Sequence, residues 1–238
     1  MSAPTPGNFE RSAGPVFNVP WAVGALALAL ILIHGVLWFA GEEWQTWAIL
    51  TLAFLPARYG GTPVPTLPGS EVWSFVTYAL LHGSWQHLLF NLIWLVIFGT
   101  IVARQLGIAK FCLLAAISAA GGAAGTLAAY WGNMGIMVGA SGAVSGLLGA
   151  AMPIMYGKPA GEGREPLRFV ELIRDGRALA FTTVWLGLTL FSGATGWTGN
   201  SFADDFRIAW EAHLGGFVAG LAGFHALYRR KPFQAANS

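Results

Sequence analysis

Apolar residues along this chain come in long runs, with little alternation between hydrophobic and polar positions. They fill 20–40, 84–103, 108–131, 141–156, 178–195 and 209–228, separated by polar or glycine-rich breaks. A helix needs about 20 mostly apolar residues to cross a bilayer, so five of the six runs have the length of a span. The pattern predicts an all-α polytopic membrane protein. A six-span bundle would occupy 20–230, with an N-terminal tail at 1–19 and a C-terminal tail at 231–238. The fourth run, Ser141 to Tyr156, is the exception. Its 16 residues make about 24 Å of helix at about 1.5 Å per residue, against a hydrocarbon core about 30 Å thick. If it ends at the cytoplasmic face, it starts below the outer one: a short, sunken fourth span.

The breaks sharpen this picture. "WGNMGIMVGA", just before the fourth run, has no charge and three glycines, Gly132, Gly135 and Gly139. Irregular backbone of that kind is tolerated at membrane depth only where protein buries it or it lines a wet cavity, so the linker is expected to dip into the bilayer. The long segment 41–83 contains "WAILTLAFLPARY", which is apolar but too short to cross and is interrupted by Pro56 and Gly60–Gly61. It is expected to lie at the interface, with Trp44 and Trp47 among the headgroups.

Composition agrees with the pattern. The 238 residues are 55% hydrophobic and 10% charged, with a mean hydropathy of +0.58, whereas a soluble domain carries about 25% charged residues. Of the 13 Lys and Arg residues, all but Arg58 and Arg207 fall in the N-terminal tail, the 104–110 turn, the 157–177 loop or the C-terminal tail. By the positive-inside rule both termini are cytoplasmic, as expected of a multi-pass protein of a bacterial plasma membrane. Basic residues spread along loop edges are topology signals and argue against a nucleic-acid partner. Residues 20–40 exceed the apolar core of a signal peptide and lack a small-residue cleavage site before Gly41, so they read as an uncleaved first span. Cys112 is the one cysteine, and it is expected to be a small core residue.

Against so apolar a background, intramembrane polar groups stand out as functional candidates. "HGSWQHLLFN" opens the second run with His82, His87 and Asn91, the last two four apart and so on one helix face. Interhelical hydrogen bonding is the plainer role for such residues. "EAHLGGFVAGLAG" puts His213 at the head of the sixth run, with Gly216 and Gly220 following on the same face. The fourth run has a matching stripe of Ser141, Ser145 and Gly149, with Gly142 and Gly146 beside it. Facing small-residue stripes let two backbones approach closely, and only then can a short serine side chain meet an imidazole at about 3 Å. Glycine packing alone accounts for the stripes but not for a histidine at the head of one. The chemistry that follows is abstraction of the Ser141 proton by histidine and attack on a peptide carbonyl. The oxyanion would be received by the unpaired N–H groups that open the fourth helix, with Asn91 and His87 completing the hole. Asp175, Asp204 and Asp205 all lie outside the runs, so a Ser–His dyad is expected and not a triad. Position 143 is alanine, which breaks the G-x-S-x-G elbow of an α/β-hydrolase.

Taken together, H-x4-H-x3-N (His82, His87, Asn91), G-x-S-G (Gly139 to Gly142) and A-H-x-x-G (Ala212 to Gly216) resemble the rhomboid family of intramembrane serine proteases, over residues 71–228. The resemblance implies that Ser141 is the nucleophile and His213 the general base and then acid. His87 and Asn91 would assist the Ser141 and Gly142 N–H groups at the oxyanion, and His82 would play a structural part. Gly139, Ser145, Gly216 and Gly220 would support the site. It also implies a half-submerged loop at 41–83, a mobile cap at 193–208, no cofactor, and single-span membrane proteins as substrates, cut near the outer face. Two positions depart from the family pattern: Trp73-Ser74 stands where members often have Trp-Arg, and Ser145 where many have an aromatic. His34 and His225 match nothing and read as packing residues.

Other readings fare worse. His82, His87 and His213 could in principle ligate zinc, but H-E-x-x-H is absent and no span carries a carboxylate base, so no metal site is expected. A client-escorting relative would typically have lost the serine or the histidine. No inverted repeat of a transporter is visible. Nothing in the sequence specifies an oligomeric state.

Overall fold

A computed structural model describes residues 19–228 apart from 62, 66, 161–162 and 196–209. Its helices follow the apolar runs closely: α1 (Trp21–Ala40), α4 (Trp85–Leu106), α5 (Ile108–Ala129), α6 (Ser141–Met155), α8 (Gly176–Thr195) and α9 (Trp210–Leu227). Between α1 and α4 lie α2 (Glu42–Leu52), a 3₁₀ turn at Pro56–Tyr59, α3 (Ser70–Thr77) and a second 3₁₀ turn at Tyr78–Leu80. By length and composition α1, α4 and α5 can cross a membrane, while α6 is apolar but short. The tail expectations for 1–18 and 231–238, and the cap at 193–208 beyond residue 195, lie outside the described residues.

Local chemistry sets the helix ends. Ser84 caps α4 by accepting the His87 backbone N–H at 3.1 Å, which fixes His87 and Asn91 on its first turns. Gly107, at φ +81°, ends α4 and starts α5 in one tight reversal. Asp175 accepts the Arg177 and Ala178 backbone N–H groups at the start of α8 and pairs with the Arg177 guanidinium at 3.0 Å. Those partners, Arg177 foremost, hold its carboxyl below the usual carboxylate range.

The surface, and not the core, departs from that of a soluble protein. Large apolar side chains such as Leu32, Val36, Phe90, Trp94 and Leu113 are exposed, as lipid-facing residues are. Meanwhile α6, the most enclosed helix, buries Gly142 and everything from Val144 to Ile154. Its 15 residues span about 22 Å, which fits the short central element expected. The chain is not purely helical, however. In the 157–177 loop β1 (Lys158–Ala160) pairs antiparallel with β2 (Gly163–Glu165), and α7 (Phe169–Leu172) follows. This hairpin of two three-residue strands is a small addition to a mostly helical chain. Cys112 is exposed on α5, not in the core, because a thiol is as acceptable to lipid as to a protein interior.

Candidate active site

The head of α6 is held from outside. Among the described residues no side chain caps it, and Ala140 precedes it in helical conformation. Instead the 133–140 linker is laced to the 41–83 segment. Met137 and Phe54 exchange both backbone hydrogen bonds, at 2.9 and 3.1 Å, and the Gly139 N–H donates to the Tyr78 carbonyl at 3.0 Å. The Ala140 N–H donates to His82 Nε2 in a long bond of 3.4 Å. An imidazole nitrogen that accepts carries no proton, so the His82 proton sits on Nδ1. Gly139 is required twice over. Its φ of +117° disfavours any side chain, and a Cβ there would lie 2.5 and 2.6 Å from Cε1 and Nε2 of His87. The His87 ring therefore rests on the backbone two residues before Ser141. Asn91, buried one turn further along α4, donates one amide N–H to the His87 carbonyl at 3.0 Å and has a second to offer.

Helices α6 and α9 touch backbone to backbone. A Cβ on Gly216 would fall on the Gly142 carbonyl, 3.1 Å from the Gly142 Cα, and one on Gly220 would fall on the Gly146 carbonyl. On Gly149 it would meet the Phe217 carbonyl oxygen at 2.5 Å. Ser141 is one residue before the first of these contacts and His213 one turn before it, at the same end of the pair. On the far side α5 closes in: a Cβ on Gly125 would lie 2.6 Å from the Glu211 carbonyl oxygen, and one on Gly122 would lie 2.7 Å from the Tyr78 hydroxyl and 3.0 Å from the Ala212 carbonyl oxygen. Serine 145 is buried one turn into α6. His82, His87, Gly139 and the head of α6 thus converge, and Gly142 and Gly146 meet Gly216 and Gly220 as their spacing implied. His225, half-buried near the other end of α9, stays apart from this group.

A search of family models matches the Rhomboid domain to residues 69–230. The chain belongs to the rhomboid family. RHOMBOID-like protein 4 of Arabidopsis thaliana is 33% identical over 172 residues, which is 71% of this chain and 38% of that relative. The rhomboid protease GlpG of Salmonella newport is 28% identical over 219 residues, 90% of this chain and 63% of the relative. The chain spans less than two thirds of the length of either. Family and apolar helices together make it an integral membrane protein with a rhomboid membrane fold.

Several contributors to this site carry no signal in the sequence. Tyr78 wedges its hydroxyl between α5 and α6 and donates it to the Ala119 carbonyl at 2.9 Å. Arg58 anchors the 41–83 segment where the family's Trp-Arg pair is absent, donating to the Ala53 carbonyl at 2.8 Å and the Leu50 carbonyl at 2.7 Å. Trp73 and Thr77 add bonds of 2.8 Å to the Thr51 and Leu52 carbonyls. Glu211, buried in the first turn of α9, accepts from the Tyr130 hydroxyl at the end of α5 at 2.5 Å. These partners are carbonyls and a distant phenol, which residue spacing does not encode.

Proposed function

We propose that this chain is an intramembrane serine endopeptidase with a Ser141–His213 dyad, built on six spans with both termini cytoplasmic in a bacterial inner membrane. The observation that carries the reading is the glycine contact of α6 with α9 at Gly142 and Gly216, next to the two residues in question. In the reaction His213 takes the Ser141 hydroxyl proton as the oxygen bonds to the substrate carbonyl carbon. The resulting oxyanion is received by the Ser141 and Gly142 N–H groups, which the first turn of α6 leaves without helical partners. His87, seated on Gly139, and the second amide N–H of Asn91 border the same space. His213 then protonates the leaving amine, and water repeats the sequence on the acyl-enzyme, restoring Ser141.

The 41–83 segment is the half-submerged loop on this reading. Substrates are single-span membrane proteins, unwound near the outer face by small or helix-destabilising residues so that a strand can reach the short α6. A fluorophosphonate probe and a panel of one-span substrates test this together. Wild type should label and cleave. Ser141→Ala should lose both, and His213→Ala should lose cleavage with an unchanged melting profile. Cleavage should persist in excess chelator, with cut termini read by mass spectrometry. Full activity in His213→Ala would refute the dyad, and folded wild type that neither labels nor cuts would refute the enzyme.

A further inference from the structure

Two buried imidazole nitrogens near the head of α6 have no hydrogen-bond partner: Nε2 of His34, on α1, and Nδ1 of His82. Both residues are more than nine-tenths buried, at 5% and 9% exposure. Their rings stand edge-on to one another, centroids 6.4 Å apart at an interplanar angle of 86°. His34 is oriented by aromatic neighbours, Trp85 at 4.6 Å and Trp38 at 6.1 Å. A phenylalanine would fill such a cage without burying a polar nitrogen. The polarities of the two nitrogens also match. His82 Nε2 accepts the Ala140 N–H, which leaves its Nδ1 as a donor, while His34 Nε2 can accept. One water, donating and accepting at once, has the reach to join nitrogens on rings at this separation, and buried waters characteristically serve polar groups that lack protein partners.

We propose that His34 is a positioning residue: with one buried water it takes the His82 Nδ1 proton, fixes the His82 tautomer, and so holds the Ala140 N–H and the backbone that presents Ser141. His34 touches no reacting atom, and its effect on rate rests on the dyad reading above. The competing arrangement has the Leu80 backbone, beside the His82 ring, take that proton and the His82 backbone, beside the His34 ring, take the His34 proton, leaving His34 a packing residue.

The test uses the full chain, ¹⁵N-labelled at histidine, in nanodiscs, with His34→Phe and His34→Gln. The imidazole nitrogen spectrum reports the tautomer and needs no activity. In wild type His82, assigned by His82→Gln, should show a slowly exchanging Nδ1 proton. In His34→Phe that signal should shift and exchange faster, and kcat on a one-span substrate should fall about tenfold with KM unchanged, the scale of one lost hydrogen bond. His34→Gln should restore both. An unmoved His82 signal in His34→Phe overturns the proposal, and so does a rate loss that glutamine fails to rescue. Unreactive wild type with the expected His82 signature would sink the protease reading and leave the His34–His82 link standing.

Discussion

Replacing Gly220 with alanine tests the closeness of α6 and α9 directly. The added Cβ would land on the Gly146 carbonyl oxygen, carbon and Cα, all backbone atoms, so no side chain can rotate out of the way. Apolar carbon contacts relax to about 3.5–4.0 Å, and opening the contact to that range moves the helices apart by about 1 Å or more. Over-packing of this kind costs about 1–3 kcal/mol. The larger effect is on chemistry, because α9 carries His213 two turns above the clash. A displacement of about 1 Å in a reacting pair can cost about 10²-fold in rate. Initial cleavage rates of a fluorogenic one-span substrate in proteoliposomes, paired with thermal melts, give both quantities. Gly220→Ala should melt lower and cleave about a hundredfold more slowly. Gly24→Ala on α1, with nothing within 4 Å of its Cβ, should match wild type. Gly223→Ala meets only the Leu114 and Ile117 side chains, the nearer atom at 2.6 Å, and should fall between. A folded Gly220→Ala protein that cleaves within threefold of wild type would refute the claim that this contact sets the distance between Ser141 and His213.

Three further substitutions separate the site's parts. Asn91→Ala should lower kcat by about 10²-fold with KM nearly constant, the scale of one oxyanion donor; steady-state kinetics showing a loss under threefold would assign the oxyanion to backbone N–H groups alone. Arg58→Lys cannot fork onto both the Leu50 and Ala53 carbonyls. It should destabilise by about 1–2 kcal/mol after allowance for its partial exposure, read as a lower melting temperature and faster proteolysis within 41–83. Tyr130→Phe removes the donor to buried Glu211 and should cost about 1–3 kcal/mol, with a several-fold loss in cleavage rate because the first turn of α9 carries His213. Tyr130→Phe protein that melts and cleaves like wild type would show that this bond does not anchor α9.

What the sequence disclosed depended on which physical signal encodes it. Helix positions were legible, as 20–40 against Trp21–Ala40 and 141–156 against Ser141–Met155 illustrate, because a bilayer demands long unbroken apolar runs. The facing stripes were legible as well, since Gly142, Gly146, Gly216 and Gly220 recur at helical spacing. Facing direction was not. Lipid and protein interior are about equally apolar, so nothing in the residue type marked Cys112 as exposed. The β1–β2 hairpin has strands too short for alternation to show. Segment 41–83 read only as interfacial, because its order comes from Arg58, Trp73 and Thr77 donating to carbonyls up to 25 residues away. His34 read as packing, and its ring does pack against Trp85 and Trp38.

This division also explains how the chain accommodates its departures from the family pattern. The position where an aromatic often stands in the family is Ser145, but aromatic bulk reaches the head of α6 from elsewhere. Tyr78 sends its hydroxyl to Ala119 between Gly122 and Gly142, and its ring packs on Phe54 at 6.4 Å. The same short stretch supplies the Tyr78 carbonyl to Gly139, the His82 ring to Ala140 and the His87 ring against Gly139. With no side-chain cap of its own, the first turn of α6 takes its position from residues 78–87. Those residues are in turn tied back through Thr77 and Trp73 to the end of α2 and through Phe54 to Met137. Ser141 is therefore set by an element outside its own helix. A disturbance of segment 41–83 would move Ser141 without touching α6, whereas a disturbance of the glycine stripe would move His213.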